Sequence, residues 1–188
     1  MAAFYPFDYQ KSLRKMRLIY KPPVGLMVGY IISAFNSLVI VAIVTMPLFV
    51  NFSNTISSLR PYYSVFVVLF YGWAITNLYL FNSFVKIEGT DDQESREQII
   101  EALSKHFELD NLDQSVTGIV RDVRLPWAFK NGRAVTCLLA ENLIYLNAAR
   151  LVRPGNMYFY SSMVMHFKCK RVAKDFQKIR VGNTGNIS

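Results

Sequence analysis

The runs VGLMVGYIISAFNSLVIVAIVTMPLFV (24–50) and PYYSVFVVLFYGWAITNLYLFNSFV (61–85), joined by the short polar link NFSNTISSLR (51–60), decide how the rest of the chain is read. No charged side chain occurs between Lys21 and Arg60, and none again before Lys86. Each run therefore exceeds the roughly 20 apolar residues that cross a hydrocarbon core of about 30 Å. Val24 to Val85 is expected to be a membrane α-helical hairpin of two transmembrane helices with its external loop at 51–61, making the chain an integral two-pass membrane protein.

Charge fixes the expected orientation. Lys11, Arg14, Lys15, Arg17 and Lys21 precede the first run, against Arg60 alone in the link, and basic residues near transmembrane ends stay on the cytoplasmic side. Both termini are then cytoplasmic, and a bacterial inner membrane is favoured over a eukaryotic one. The 23 residues ahead of the first run and the length of that run argue against a cleaved secretory signal. The arm itself (1–23) mixes Phe4, Tyr5, Phe7, Tyr9, Leu13, Met16, Leu18, Ile19 and Tyr20 with cations, which suits a segment lying among lipid headgroups; a loose basic tail is the alternative.

Inside the first run Gly25, Gly29, Ser33 and Ser37 recur every four residues, a small-residue stripe along which a second helix, or another copy of the chain, can approach closely. Asn36 lies beside that stripe. Counting from a turn near Ile56, Asn36 and Asn77 fall at similar depth in antiparallel helices, so an amide pair across the hairpin is expected. Neither crossing carries an ionisable group, which favours structural packing over ion conduction.

About a hundred residues follow the hairpin, enough for one small domain (86–181) with a disordered tail (182–188). Of the net charge of +8, the stretch Lys86 to Asp113 holds nine acids and three bases, whereas Arg121 to Arg180 holds twelve bases and three acids. Thr90 and Gln93 fit a capping box, after which Ile99, Ile100, Leu103 and Phe107 predict a helix over 91–107 with Glu94, Glu97 and Glu101 on its solvated side. Val116, Gly118 and Val120 alternate as a strand. Asn131-Gly132 is a hairpin turn, Ala134 to Leu139 a well-buried strand, and Leu143 to Ala148 a third strand after Glu141-Asn142. Past Pro154-Gly155, Ser161 or Ser162 caps a last helix with Met165, Cys169, Val172, Phe176 and Ile179 in one apolar stripe.

The expected order is helix-strand-strand-strand-helix with an antiparallel sheet, a cytosolic α+β domain with both helices on one face. Double-stranded-RNA-binding domains share that order, and the basic start of the last helix resembles their phosphate-contacting helix; the likeness covers order and charge, and no motif matches residue by residue.

Chemistry is sparse. Cys137 and Cys169 are the only cysteines, too few for a disulfide framework or a zinc site. His166 stands three residues before Cys169, a spacing that can pair a thiol with a base, but Cys169 falls on the apolar stripe, where a thiol is a core group. No phosphate loop, nucleophile elbow or carboxylate dyad occurs, so no catalytic, cofactor or metal residue is assigned.

The candidate site is the basic strip Lys168, Lys170, Arg171, Lys174 and Lys178, joined by Arg121, Arg124, Arg150 and Arg153. Anionic lipid headgroups are its nearest partners at the inner leaflet. Nucleic acid ranks lower, because the stacking aromatics it needs (Trp127, Phe129, Tyr158, Phe159, Tyr160) are better used in the core or on the membrane. The strip could also answer the acidic helix. The sequence thus reads as a non-enzymatic accessory, assembly or regulatory subunit that contacts other membrane or cytosolic proteins. The alternative is a sensor-effector whose domain binds an anionic ligand in a basic, aromatic pocket and whose hairpins oligomerise.

Overall fold

The structure, a computed structural model, describes residues 7–19, 39, 43, 45–46, 60–90, 92–124, 132–140, 142–153, 156–157 and 161–184. Its helices are α1 (Tyr9–Lys15), α2 (Arg60–Leu80), α3 (Gln93–Ser104) and α4 (Ser162–Thr184), and its strands are β1 (Val85–Glu88), β2 (Leu112–Asp113), β3 (Ile119–Arg124), β4 (Gly132–Ala140), β5 (Leu143–Arg153) and β6 (Asn156–Met157). The strands form one antiparallel sheet in the order β1-β5-β4-β3-β2, with β6 on the far end of the β5 edge that β1 also uses. The α+β class holds. Three expected strands become six, and a strand ahead of the first domain helix breaks the order shared with double-stranded-RNA-binding domains.

The differences have local causes. Val85 was expected to end a crossing, but it opens β1, whose side chains alternate buried and exposed, and Ile87 is 1% exposed against Ile144 of β5. Gly118 adopts φ 76°, a turn conformation suited to glycine, so β3 starts at Ile119, three residues later than the alternation from Val116 suggested, and Val116 stays exposed. The cap of α3 is Asp92 rather than Thr90: its carboxylate accepts from Ser95 N at 2.6 Å. Hydrogen bonds from the Thr90 hydroxyl and from Ser95 hold Asp92 below the usual carboxylate range. The last helix extends through Gly182 to Thr184, into the stretch expected to be disordered.

Both domain helices cover one face of the sheet. Ile99, Ala102 and Leu103 of α3, with Phe107 just beyond it, meet Met165, Cys169, Val172 and Phe176 of α4 over Ile87, Val120, Val135, Cys137, Leu139, Ile144 and Leu146. The expected stripe of the last helix is therefore the core stripe. Gly89 marks its tightest point, since a Cβ there would lie 2.6 Å from Ile144 Cδ1 and 3.2 Å from Phe176 Cζ.

The opposite face corrects the headgroup reading of the arm. Leu18 is 2% exposed and packs with Phe84, Leu138 and Tyr145, while Phe7, Tyr9, Leu13 and Met16 gather around them. The Tyr9 hydroxyl donates to Leu139 O at 3.1 Å. Asp8 caps α1 by accepting from Lys11 N, and Met16 ends it in the left-handed region at φ 55°. A strand that is apolar on both sides needs cover on both sides, and the arm supplies the second cover.

Among the described residues one helix is long and apolar enough to cross a membrane, Tyr62–Leu80 within α2. Val65, Phe66, Val68, Leu69, Ile75, Leu78 and Tyr79 around it are exposed, whereas Val67 and Asn77 are buried. The first run lies outside the described residues except at isolated positions, and Gly25, Gly29, Ser33, Asn36 and Ser37 with it.

Candidate functional site

Two features stand out: the junction where α2 enters the domain, and the outer face of α4 that begins there. Asn77, one turn before the end of α2, is fully buried, and its side-chain oxygen accepts from Met163 N at 3.0 Å while its amide donates to Trp73 O at 2.9 Å. The first turn of a helix has N–H groups with no partner inside the helix, and Asn77 satisfies one of them from another helix. That bond places Asn77 at the domain-side end of α2, not in the middle of an apolar span as the amide pairing supposed; its expected partner Asn36 lies outside the described residues.

The arm closes the junction from a second side. Arg17 Nη2 donates to Tyr79 O at 2.9 Å with its guanidinium 5.4 Å from the Tyr79 ring, and Leu18 N donates to Asn82 O at 2.8 Å. Asn147 Nδ2 of β5 donates to Ser83 O at 2.9 Å, and Ser83 Oγ lies 3.1 Å from His166 Nδ1. Sheet, arm and last helix thus all bond to residues 77–83. Replacing Asn77 with leucine, similar in volume but unable to accept, should leave the Met163 N–H buried and unpartnered. A loss of about 1–3 kcal/mol in domain stability is expected, read by thermal melting in detergent; unchanged melting would exclude the acceptor role.

His166 is therefore engaged with Ser83, not with Cys169. Burial, followed by the charge of Lys170, holds its imidazole below the ordinary histidine range. Cys169 is 1% exposed, and burial pushes its thiol up to about 12. A thiol held protonated in the core supplies no nucleophile. Among the described residues no group of His, Cys, Asp and Glu is placed to hold a metal ion.

The basic strip divides. Lys170, Arg171, Lys174 and Lys178 are exposed on the face of α4 turned away from the core, with Phe167 and Val164 exposed in the turns before them. Lys170 Nζ stands 5.7 Å from the Phe167 ring, and Lys178 pairs with Asp175 at 3.5 Å. Lys168 departs from that face and covers the Phe107 ring at 5.6 Å. Arg121 is buried on the opposite face of the sheet, stacked over Phe7, so it is no part of the strip. Arg124 pairs with Glu108 and Asp110, Arg150 is exposed, and the Arg153 side chain is outside the described residues, as are Trp127, Phe129, Tyr158, Phe159 and Tyr160.

The acidic helix makes its own bonds, Gln93 to Glu97, Gln98 to Glu94 and Lys105 to Glu101, and meets α4 through His106 and Asp175 at 2.7 Å. His106 and Asp175 lie 69 residues apart in the chain, too far for spacing to pair them.

No protein-family model matches this chain, and no curated protein or solved structure matches it. Of the cavities among the described residues, one of about 200 Å³ between Phe7, Asp113, Val116, Ile119 and Arg121 and one of about 400 Å³ beside Glu88 and Arg180 each combine a cation with a carboxylate. Neither gathers several cations around an aromatic ring, whereas a wide-open hollow of about 720 Å³ along α1 brings Lys11 and Arg14 together with Tyr9 and Asp8.

Proposed function

We propose that the chain is a two-pass membrane protein whose cytosolic α+β module acts as a non-enzymatic accessory, assembly or regulatory subunit, offering the outer face of α4 to a partner. One observation carries the membrane part. Leu18 N is bonded to Asn82 O, so the chain leaves the domain and re-enters it at the same point. If α2 crosses a bilayer toward the domain, the residues between Ile19 and Arg60 must cross in the opposite sense first. The uncharged run 24–50 has the length to do so.

The bonds at Tyr79, Asn82, Ser83 and Asn77 support a module seated firmly on its anchor rather than swinging on a linker. On its outward side Arg171 and Lys174 have no ion-pair partner among the described residues, and Phe167 and Val164 lie exposed beside them, an arrangement of cations and apolar groups suited to an acidic protein surface. The sensor-effector reading asks for a basic, aromatic pocket; the hollow along α1 that combines Lys11, Arg14 and Tyr9 is wide open and shares its lining with the carboxylate of Asp8, which favours the interaction module.

The test is charge reversal at Lys170, Arg171 and Lys174 together. In the purified full chain the melting temperature should stay within about 2 °C, because exposed substitutions cost little. Recovery of subunits that co-purify with wild type in mild detergent should fall severalfold. Undiminished recovery would remove the strip from the proposal.

A further inference from the structure

The sheet holds a second basic feature, unlike the strip in being built across strands. Arg124 is paired in register with Arg133, and Arg133 with Arg150, so three guanidinium groups stand in one row across β3, β4 and β5 on the face that carries the helices. Like charges directly opposite each other on a sheet are destabilising, so the row works against the fold unless an anion answers it.

The local acids answer it in part. Glu108 at 2.7 Å and Asp110 at 3.2 Å hold Arg124. Asp122 lies 3.7 Å from Arg133 Nε, beyond hydrogen-bond range, and commits its other oxygen to Asp110 N and Asn111 N. Arg133 Nε and Nη2 are buried with no hydrogen-bond acceptor, while the side chain keeps 15% of its surface open. Arg133 and Lys168 also share the Phe107 ring, at 6.0 and 5.6 Å from its centre. Arg150 and Lys168 have no ion-pair partner among the described residues, which leaves two uncompensated cations around an under-bonded guanidinium.

Position in the fold suggests the ligand. Strand β1 leaves α2 directly and pairs Val85 with Leu146, so β5 beyond Leu146 runs back toward α2. The arginine row and the first turns of α4 therefore lie at the α2 end of the sheet. We infer that Arg133, Arg150 and Lys168, with Arg124 completing the row, form a binding site for a phosphate group. On the membrane reading proposed above, on which this one assignment rests, the phosphate belongs to an anionic lipid headgroup; a soluble phosphate is the other source of the same chemistry. Arginine suits the role because its planar fork bonds two phosphate oxygens at once.

The experiment uses the full chain in mild detergent, with melting followed in the presence of three probes: phosphatidylglycerol, phosphatidylcholine and inorganic phosphate. The comparison variant is Arg150→Glu with Lys168→Glu, both exposed positions, and its unliganded melting temperature serves as the folding control. Arg133→Lys, which keeps the charge and loses the fork, is the second variant. A rise with phosphatidylglycerol that phosphatidylcholine does not give assigns the headgroup, and a rise with inorganic phosphate alone assigns a soluble ligand; both support the site. The double variant should need about thirtyfold more probe for the same rise, and added salt should weaken the wild-type response.

No rise with any probe, or the same rise in wild type and variant, overturns the site. Resistance of the wild-type chain to alkaline extraction from membranes is scored separately, so a failure of the membrane reading is not mistaken for a failure of the phosphate site.

Discussion

Replacing Phe176 with alanine should cost about 3–5 kcal/mol of domain stability, the range for deleting a fully buried aromatic side chain. Phe176 is wholly buried, and its ring approaches the place where Gly89 has no side chain. Nothing small can fill the space, because Ile144 and the β1 backbone are fixed in the sheet ladder. The melting temperature should fall by more than about 10 °C. Phe167→Ala is the control, since that ring is 48% exposed on the same helix. Similar melting of the two variants would mean that α4 packs by a different face.

Leu18→Ala separates the two readings of the N-terminal arm. On the sheet, losing this side chain should destabilise the domain by about 2–5 kcal/mol and speed amide exchange in the central strands. On lipid, it would weaken membrane partition and leave domain melting alone. Leu18 is 2% exposed beneath the arm and its N–H is held by Asn82 O, so the first outcome is expected. Unchanged melting would return the arm to the headgroups.

Much of the helical layer was legible in the sequence. The stripe Met165, Cys169, Val172, Phe176 with Ile179 at its edge follows from spacing alone, because a helix repeats its buried side every three to four residues. Strands β4 and β5 were legible from apolar content between turn residues. The two-residue strands Leu112–Asp113 and Asn156–Met157 carry no period at all. Val85 to Glu88 was missed because four residues are too few for an alternation to stand out, and the first of them closes the uncharged run.

The arm was misread for a physical reason: aromatic groups among cations suit a bilayer surface and a sheet face equally well. A signal was present. Ala134 to Leu139 reads as buried throughout, two helices cover only one face, and the arm was the apolar segment left to cover the other. Of the candidate site, the exposed cations of α4 were readable from the helical period. The arginine row needed the strand register, which pairs Arg124 with Arg133 and Arg133 with Arg150 and which spacing alone does not fix.

The bond between Tyr9 and Leu139 spans 130 residues of chain. During synthesis at roughly 5–20 residues per second, the arm waits on the order of ten seconds before the strands it covers exist. Apolar segments between them emerge from the ribosome first and can be handed to the insertion machinery while the arm is still bare. On the two-pass reading proposed above, its five cations would give it solubility and a topogenic signal in that interval. On that reading the same residues are used twice in time, first as a leader that sets which way the chain enters, later as the cover that completes the sheet.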